Sequence, residues 1–341
     1  MNSMKMRIDT IWEELEKDKS FQAGLLYKRY SPEVDPDVFV ALKAPEKLRC
    51  ITFLVSSSSK IDLNPLNEFR EIKFELMDDA KDQNQKFFLI LLLDSQHKDI
   101  FSVLCQDLIQ KVSNIREENI LMNTIIERLI KWQTLFEKMK SLGLSDYSQR
   151  GLFGELYFLK KYLLNSCDYK KCINSWVGPE GSVQDFQYSD WAVEVKTTHG
   201  KNHQKIHVSN ERQLDNSIVP NIFLFHLSID IRQEYGETLN SIIQNIFEII
   251  STNIGATDIF KLKLLEAGYF DRHYTLYNRT GYQIRNQNIY TVVGDFPRIT
   301  EKQIPKGVGD VKYSIILSES ESWRISESEL FNNFLKANRN D

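Results

Sequence analysis

The chain has 341 residues, of which 42% are hydrophobic and 26% are charged, and its formal net charge is −4. A chain of this length can bury a large core and usually folds as two or three domains. This slightly negative net charge differs from the strong positive charge of proteins that bind nucleic acid over a broad surface. Binding of nucleic acid would therefore depend on a local groove.

The first residues, MNSMKMRIDTIWEELEKD, predict a charged amphipathic helix and not a signal peptide. The most apolar run, FFLILLL at 87–93, is too short to span a bilayer and is typical of a buried strand, so we expect no membrane association. None of the four cysteines forms a CxxC pair. We therefore expect reduced thiols and a cytoplasmic location.

Residues 1–110 predict an N-terminal α/β domain. The runs AGLLYKRY, VFVALK, CITFLV and KFFLILLLD have the length and composition of strands, and IFSVLCQDLIQKV predicts a helix. Residues 111–145 are expected to form a long connecting helix. Its apolar residues recur every three or four positions and give one buried stripe, formed by Ile125, Leu129, Trp132, Phe136 and Met139.

The central region, 146–260, alternates helix, hairpin, strand, strand and helix. It begins with a clear helical pattern in RGLFGELYFLKKYLL, residues 150–164. The last part, 261–341, is rich in tyrosine and strand-like, with turns at YNRTGY, GDFPRI and PKGVGD.

The segment DFQYSDWAVEVKTT, residues 185–198, predicts a hairpin with its turn at Ser189 and Asp190. Side chains alternate between the two faces of a strand. One face is therefore apolar, and it carries Phe186, Tyr188, Trp191, Val193 and Val195. The other face carries Asp185, Gln187, Ala192, Glu194, Lys196 and Thr198.

In this register Asp185 and Glu194 face each other across the strands, with Cβ atoms about 5 Å apart. Two like charges there are destabilising, and a bound divalent cation would reverse the sign of the interaction. Lys196 points into the same space and could stabilise developing negative charge. The alternative is an exposed sheet face on which the lysine compensates two acids.

The helix at 150–164 supplies a second signal. At about 100° per residue, Glu155 falls within the apolar stripe, flanked by Leu159 and Tyr162. A carboxylate in an apolar arc is costly unless it is paired or binds metal. Glu155 is thus either a third acid of the hairpin site, pointing towards Lys196, or the partner of a buried lysine or arginine elsewhere.

The residues after the hairpin also fit a phosphate site. HGKNHQK is a polar loop with Lys201 and Lys205, and IHVS predicts a short strand. SNERQL is expected to open a helix with Arg212 and Gln213 in its first turn, and helix N-termini bind phosphate readily. Simple helix capping is an equally good explanation for each residue taken singly.

This order of acids and elements resembles the PD-(D/E)XK nuclease superfamily, which has the restriction-endonuclease-like fold. GLFGELYFLKKYL, SWVGPEGSVQDF and WAVEVKTT are more closely similar to a bacterial family of PD-(D/E)XK motif proteins. The closer resemblance covers residues 115–317, and the general nuclease motif covers 150–215. Gln184 stands where the motif has proline. The implied fold is a mixed central sheet flanked by helices.

By position, the resemblance implies that Asp185 and Glu194 are ligands of Mg²⁺, with Mn²⁺ as a substitute. Lys196 would be the catalytic lysine and Glu155 the additional helix acid. Thr198, Lys201, Lys205, Arg212 and Gln213 would lie near the DNA.

The implied reaction is hydrolysis of phosphodiester bonds in DNA, in bacterial restriction or phage defence. Cleavage of both strands of a duplex usually needs two such sites, so a homodimer or a larger defence complex is implied as well.

Two alternatives compete with this interpretation. A non-catalytic DNA-binding or scaffold subunit of a defence complex could retain the same fold. A zinc site could use His199, His203 and His207, which recur every four residues. Gly200, Asn202 and the strand-like KIHVS argue against the helix that such a zinc site needs.

Overall fold

The alternation of short apolar runs with longer amphipathic stretches produces two α/β units in the computed structural model of the chain, Met1–Lys140 and Ser141–Asp341. The structure describes residues 7–139, 142–165, 168–200, 205–217 and 219–337. None of the helices within these ranges is both long and apolar enough to cross a bilayer.

The first unit is built on an antiparallel sheet. Its strands are β1 (Leu25–Arg29), β2 (Val38–Lys43), β3 (Leu48–Ser56), β4 (Ile72–Asp78) and β5 (Gln85–Leu92). They lie in the order β1-β2-β3-β5-β4. Four of these strands are the predicted ones. Strand β4 was not predicted, because it lies at a sheet edge, where several of its side chains meet solvent and no continuous apolar run is needed.

Helices complete the first unit. They are α1 (Arg7–Glu16), α2 (Lys98–Val112) and α3 (Glu118–Met139). The predicted apolar stripe of α3 is confirmed, since all its members are buried. Asp107 of α2 accepts hydrogen bonds from Arg128 (3.0 Å) and from the indole of Trp132 (2.7 Å), and these bonds join α2 to α3.

The second unit carries a mixed sheet and a separate ribbon. Its strands are β6 (Phe186–Tyr188), β7 (Trp191–His199), β8 (Lys205–Val208), β9 (Asn221–Gln233), β10 (Glu237–Thr238), β11 (Thr280–Thr291), β12 (Tyr313–Ile316) and β13 (Arg324–Ile325). Its helices are α4 (Asp146–Phe158), α5 (Tyr169–Ser175), α6 (Leu239–Ile250), α7 (Ile254–Glu266) and α8 (Glu327–Ala337).

The sheet order is β10-β11-β9-β7-β6, with β13 paired to β11. Strands β7 and β9 are parallel, and the other pairs are antiparallel. Strands β8 and β12 form an antiparallel ribbon. The predicted α/β fold with a mixed, helix-flanked sheet is therefore confirmed.

Both faces of β7 are covered. Val193 and Val195 belong to the larger core, which also contains residues of α4 and α6. Ala192 points to the other face and packs in a smaller core with Ile206 of β8 and Ile315 of β12. The face that carries the predicted acids is thus partly covered by the ribbon, and it is not the open polar surface of an isolated hairpin.

Two predicted helices differ from the structure. The helix over 150–164 remains α-helical only to Phe158, and Leu159–Leu163 form a π-helical turn. Such turns are rare and occur often near functional sites. The helix predicted for SNERQL is wrong, because Glu211–Leu214 form a single 3-10 turn. In that turn the Asn210 side chain accepts from the backbone N–H of Arg212.

The cysteines fit the prediction only in part. Cys50 and Cys105 are buried free thiols, and burial raises the pKa of Cys50 to about 12. Cys172 is disulfide-bonded, so the expectation of reduced thiols is wrong for that residue. Cys167 lies outside the described residues.

Helix α4 packs closely on β7 at Gly154. A Cβ on Gly154 would lie 1.9 Å from Oγ1 of Thr197 and 3.4 Å from Cγ1 of Val195. We expect Gly154→Ala to lower the free energy of unfolding by about 1–3 kcal/mol, because the Thr197 side chain must rotate or the helix must move to remove the overlap.

Gly151 of the same helix is a matched control, since an added Cβ would meet no atom within 4 Å. Gly151→Ala should raise the free energy of unfolding by about 0.5–1 kcal/mol. Urea denaturation measures both variants, and equal stabilities would contradict the close packing of α4 on β7.

Candidate active site

The hairpin holds Asp185 next to β7. The observed pairs Phe186–Val193, Gln187–Ala192 and Tyr188–Trp191 are those of the predicted register. Asp185 precedes β6 by one residue, and its Oδ2 accepts a hydrogen bond of 2.7 Å from the backbone N–H of Val195. Strand β6 therefore begins only after Asp185, and at Val195 the Asp185 side chain accepts the hydrogen bond that a neighbouring strand would otherwise accept.

Glu194 is the most deeply buried acid of the site, with 1% of its surface exposed. Its Oε1 forms an ion pair of 2.6 Å with Nζ of Lys196. Its Oε2 is buried and has no hydrogen-bond partner among the described residues. A buried carboxylate oxygen without a partner is costly in a folded protein, so this oxygen indicates a place for a ligand or an ion.

Lys196 is held from a second side by Gln213. Oε1 of Gln213 accepts from Nζ of Lys196 (3.1 Å) and from the backbone N–H of Ser209 (2.9 Å). The amide of Gln184 donates to the carbonyls of Arg212 and Gln213 at 3.2 and 3.3 Å. Gln184, which stands where the motif has proline, thus links the 3-10 turn Glu211–Leu214 to the site.

Glu155 reaches the site from the other face of the sheet. Helix α4 packs on Val195 and Thr197, whose side chains point away from those of Glu194 and Lys196. The Glu155 carboxylate accepts a hydrogen bond of 2.8 Å from the indole N–H of Trp176. Glu155 forms no ion pair with Lys196 among the described residues, but its carboxylate lies close enough to Asp185, Glu194 and Lys196 for their charges to shift its pKa. Its expected role as a third acid of the site stays a prediction.

Glu155 is nevertheless near Asp185 at the sheet edge. A Cβ on Gly178 would lie 3.1 Å from Oδ1 of Asp185 and 3.3 Å from Oε2 of Glu155. The backbone N–H groups of Val177 and Gly178 each donate to the carbonyl of Asp185 at 2.9 Å. Asp185 and Glu155 can approach each other closely because Gly178, as a glycine, has no side chain between them.

Burial dominates the electrostatics of the acids. It raises the pKa of Glu194 to about 8, with Asp185 acting in the same direction and Lys196 opposing. Burial raises the pKa of Asp185 to about 6, opposed by Lys196 and by the Val195 amide. The pKa of Glu155 is raised well above its usual range by burial and by Asp185.

The pKa of Lys196 is raised as well, but by the neighbouring acids and against the effect of burial. Burial acts to lower its pKa, but Glu194 and Asp185 outweigh burial and raise the pKa above its ordinary value. The cluster therefore combines the ammonium of Lys196 with three carboxyl groups whose pKa values are raised. This is expected when several buried acids lie near a single cation.

The residues predicted to contact DNA lie in different environments. Oγ1 of Thr198 is hydrogen-bonded to Nε2 of His226 at 2.8 Å. Lys205 is exposed at the start of β8. Arg212 is exposed and forms an ion pair of 2.7 Å with Glu301. Lys201 lies outside the described residues.

The zinc alternative gains no support. His199 lies on β7, His207 is hydrogen-bonded to Ser314 (2.9 Å), and His203 lies outside the described residues. Within the ranges that the structure describes, no group of three or more His, Cys, Asp or Glu side chains is arranged to hold a metal ion.

Two carboxylates nevertheless fit one hard cation. Mg²⁺ is usually bound by one or two protein carboxylates together with waters and substrate phosphate oxygens. Asp185 and Glu194 would provide these carboxylates, and the buried Oε2 of Glu194 has no hydrogen-bond partner among the described residues. The donor set therefore suits Mg²⁺ or Mn²⁺ and lacks the nitrogen and sulfur ligands that favour zinc.

Sequence reasoning missed Trp176, Gly178 and Gln184 as parts of the site. Trp176 and Gly178 occur in SWVGPEGSVQDF, a stretch that carried the family resemblance, so a signal was present. Their contacts with Glu155 and Asp185 depend on the path of the chain between α5 and β6, and no periodicity in the sequence predicts that path.

Comparison with protein families gives a match over residues 8–318 to the family described as "Putative PD-(D/E)XK family member, (DUF4420)". The match begins in α1, so it extends further than the 115–317 over which the resemblance was predicted. PD-(D/E)XK proteins are generally nucleases, and the match supports a nuclease-like function. Neither the curated proteins nor the solved structures contain a match to the chain.

The raised pKa values predict how stability depends on pH without metal. Between about pH 4.5 and pH 8, folded Glu194 keeps a proton that the unfolded chain has released. The folded state then binds more protons, so its stability falls as the pH rises through this window. Each pKa unit corresponds to about 1.4 kcal/mol, so the loss amounts to a few kcal/mol.

Glu194→Gln should remove much of this dependence. In EDTA, we expect the variant to be at least as stable as the natural chain at pH 8.5 and to change less between pH 5.5 and 8.5. Urea denaturation at the two pH values measures this. A large loss of stability at pH 8.5 would show instead that the Glu194–Lys196 ion pair is needed for folding.

Proposed function

We infer that the chain, which belongs to the PD-(D/E)XK family matched over residues 8–318, is a metal-dependent nuclease with Asp185, Glu194 and Lys196 at its site. The observation that carries this inference is Glu194. Its carboxylate is 1% exposed, its Oε2 has no partner within the described part of the chain, and it contacts the ammonium of Lys196. Such a costly arrangement is understandable if the carboxylate binds a cation when the protein works.

Asp185 and Glu194 are the residues that would hold Mg²⁺ or Mn²⁺. A divalent ion bound there supplies positive charge that lowers the pKa of an attacking water and polarises a phosphate group. The hydrogen bond from Val195 to Oδ2 of Asp185 fixes that carboxylate, while Oδ1 lies towards Gly178 and Glu155.

Lys196 would stabilise the negative charge that develops on the phosphate. Its side chain is only 14% exposed, and its ammonium is positioned by Glu194 and Gln213. An ammonium held in place before the reaction stabilises the transition state without a cost of reorganisation. We assign Glu155 an accessory role beside Asp185, since its carboxylate interacts electrostatically more strongly with Asp185 than with Lys196 and forms no ion pair with that lysine within the described part of the chain.

DNA is the substrate that we propose, and the family resemblance supports this choice. Lys205 is exposed, and Thr198 lies two residues after Lys196 on β7. Arg212 would have to exchange Glu301 for a phosphate. We further propose a homodimer or a larger complex, because cleavage of a duplex needs a site for each strand, and a role in bacterial restriction or phage defence.

The test is cleavage of supercoiled plasmid by the purified chain in Mg²⁺ or Mn²⁺, with EDTA as a control and RNA as a second substrate. We expect metal-dependent nicking that Asp185→Asn and Glu194→Gln each reduce by at least about 100-fold, since each removes a group that contacts the reacting centre. Lys196→Met should have a similar effect.

Asp190→Asn is a matched control, because it makes the same chemical change as Asp185→Asn in the turn of the same hairpin. Asp190 is half-buried, but its charge is not among those that shift the pKa values of Asp185, Glu194 and Lys196. Asp190→Asn should therefore leave the rate within about three-fold of the natural chain. DNA binding without metal-dependent cleavage would support the alternative, a non-catalytic DNA-binding or scaffold subunit.

Glu155→Gln should lower the cleavage rate by about ten-fold while leaving the free energy of unfolding within about 1 kcal/mol. An amide oxygen can still accept the Trp176 indole hydrogen bond, and burial raises the pKa of the carboxyl group that the neutral amide replaces. Rate and thermal stability are measured on the same sample. A loss of several kcal/mol of stability with an unchanged rate would assign Glu155 a structural role only.

A further inference from the structure

A buried lysine lies beside the segment that holds both Asp185 and Glu155. Lys263 is near the end of α7 and has only 3% of its surface exposed. A buried ammonium is costly unless its donors are satisfied. An ammonium has three N–H donors, so it needs three acceptors in this position.

Lys263 has these three acceptors. Its Nζ donates to the backbone carbonyls of Asn174 and Trp176 and to the carboxylate of Glu180. The first two belong to the end of α5, where carbonyl groups have no partner within the helix. A positive charge is also favoured at a helix C-terminus. Lys263 thus caps α5 and fixes the chain over residues 174–180.

The same residues contact the acids of the site. Trp176 donates its indole N–H to Glu155, and the backbone N–H groups of Val177 and Gly178 donate to the carbonyl of Asp185. Trp176 also forms a β-bridge with Phe186, the first residue of β6. Any shift of residues 174–180 is therefore transmitted to both carboxylates.

We propose that Lys263 is a positioning residue, which sets the positions of the Glu155 and Asp185 carboxylates through residues 174–180 without contacting the substrate. The proposal is independent of the PD-(D/E)XK motif, because Lys263 lies 67 positions after Lys196 in the sequence. Its effect on the reaction rate rests on the proposed nuclease function, whereas its effect on Trp176 does not.

The test uses ¹⁵N-labelled full chain and the indole N–H signal of Trp176, one of five tryptophans, assigned by Trp176→Phe. In Lys263→Met, which keeps the length of the side chain but loses its charge and donors, we expect this signal to shift and its hydrogen exchange to accelerate. The cleavage rate should fall by about 100-fold, as for a small misplacement of reacting groups. Lys263→Arg should restore the signal and most of the rate.

Two controls separate positioning from a general loss of stability. Glu180→Gln removes the charged partner but keeps both backbone acceptors, so it should leave the Trp176 signal and the rate nearly unchanged; Glu180 is itself about half exposed. Leu330→Ala lowers stability from a buried position on α8 and should not move the Trp176 signal.

The proposal would be overturned if Lys263→Met changed neither the Trp176 signal nor the cleavage rate. If that variant does not fold, Lys263→Gln takes its place under the same criteria, since it is neutral and keeps an amide donor. A shifted Trp176 signal in a chain that cleaves neither DNA nor RNA would support the positioning role and contradict the nuclease function, so the two failures can be told apart.

Discussion

The structure of the site depends on the burial of the Glu194 carboxylate. Strand β7 places it on the sheet face covered by the β8–β12 ribbon, where it is 1% exposed and its pKa rises to about 8. Among the residues that the structure describes, Lys196 is the cation that pairs with it, at 2.6 Å. The rest of the site is arranged around this pair, because Gln213 fixes the lysine and the hairpin places Asp185 beside β7.

The local parts of this arrangement could be predicted from the sequence. The alternation of side chains in residues 185–198 fixes the register of the hairpin, because a shift by one residue would expose Phe186 and Val193. The same reasoning placed the buried stripe of α3. Where one short segment determines which side chains face the core, the periodicity of its apolar residues is sufficient to predict the buried face.

The parts that join distant segments could not be predicted. The partner of Glu155 is Trp176, and their contact depends on the path of the chain between α4 and β6. Helical periodicity placed Glu155 among apolar residues correctly but could not show that its helix lies on the opposite sheet face from Lys196. The ribbon that buries Glu194 pairs residues 205–208 with 313–316, and no local pattern relates these segments.

The most direct test of the account is the position of a bound metal ion. Crystals of the full chain soaked in Mn²⁺ should show an anomalous-scattering peak that contacts both the Asp185 and the Glu194 carboxylates, the latter through Oε2, which has no hydrogen-bond partner among the described residues. Glu194→Gln crystals should lack the peak. A peak elsewhere in the molecule, or none at a Mn²⁺ concentration that supports cleavage, would contradict the assignment of this cluster as the metal-dependent centre.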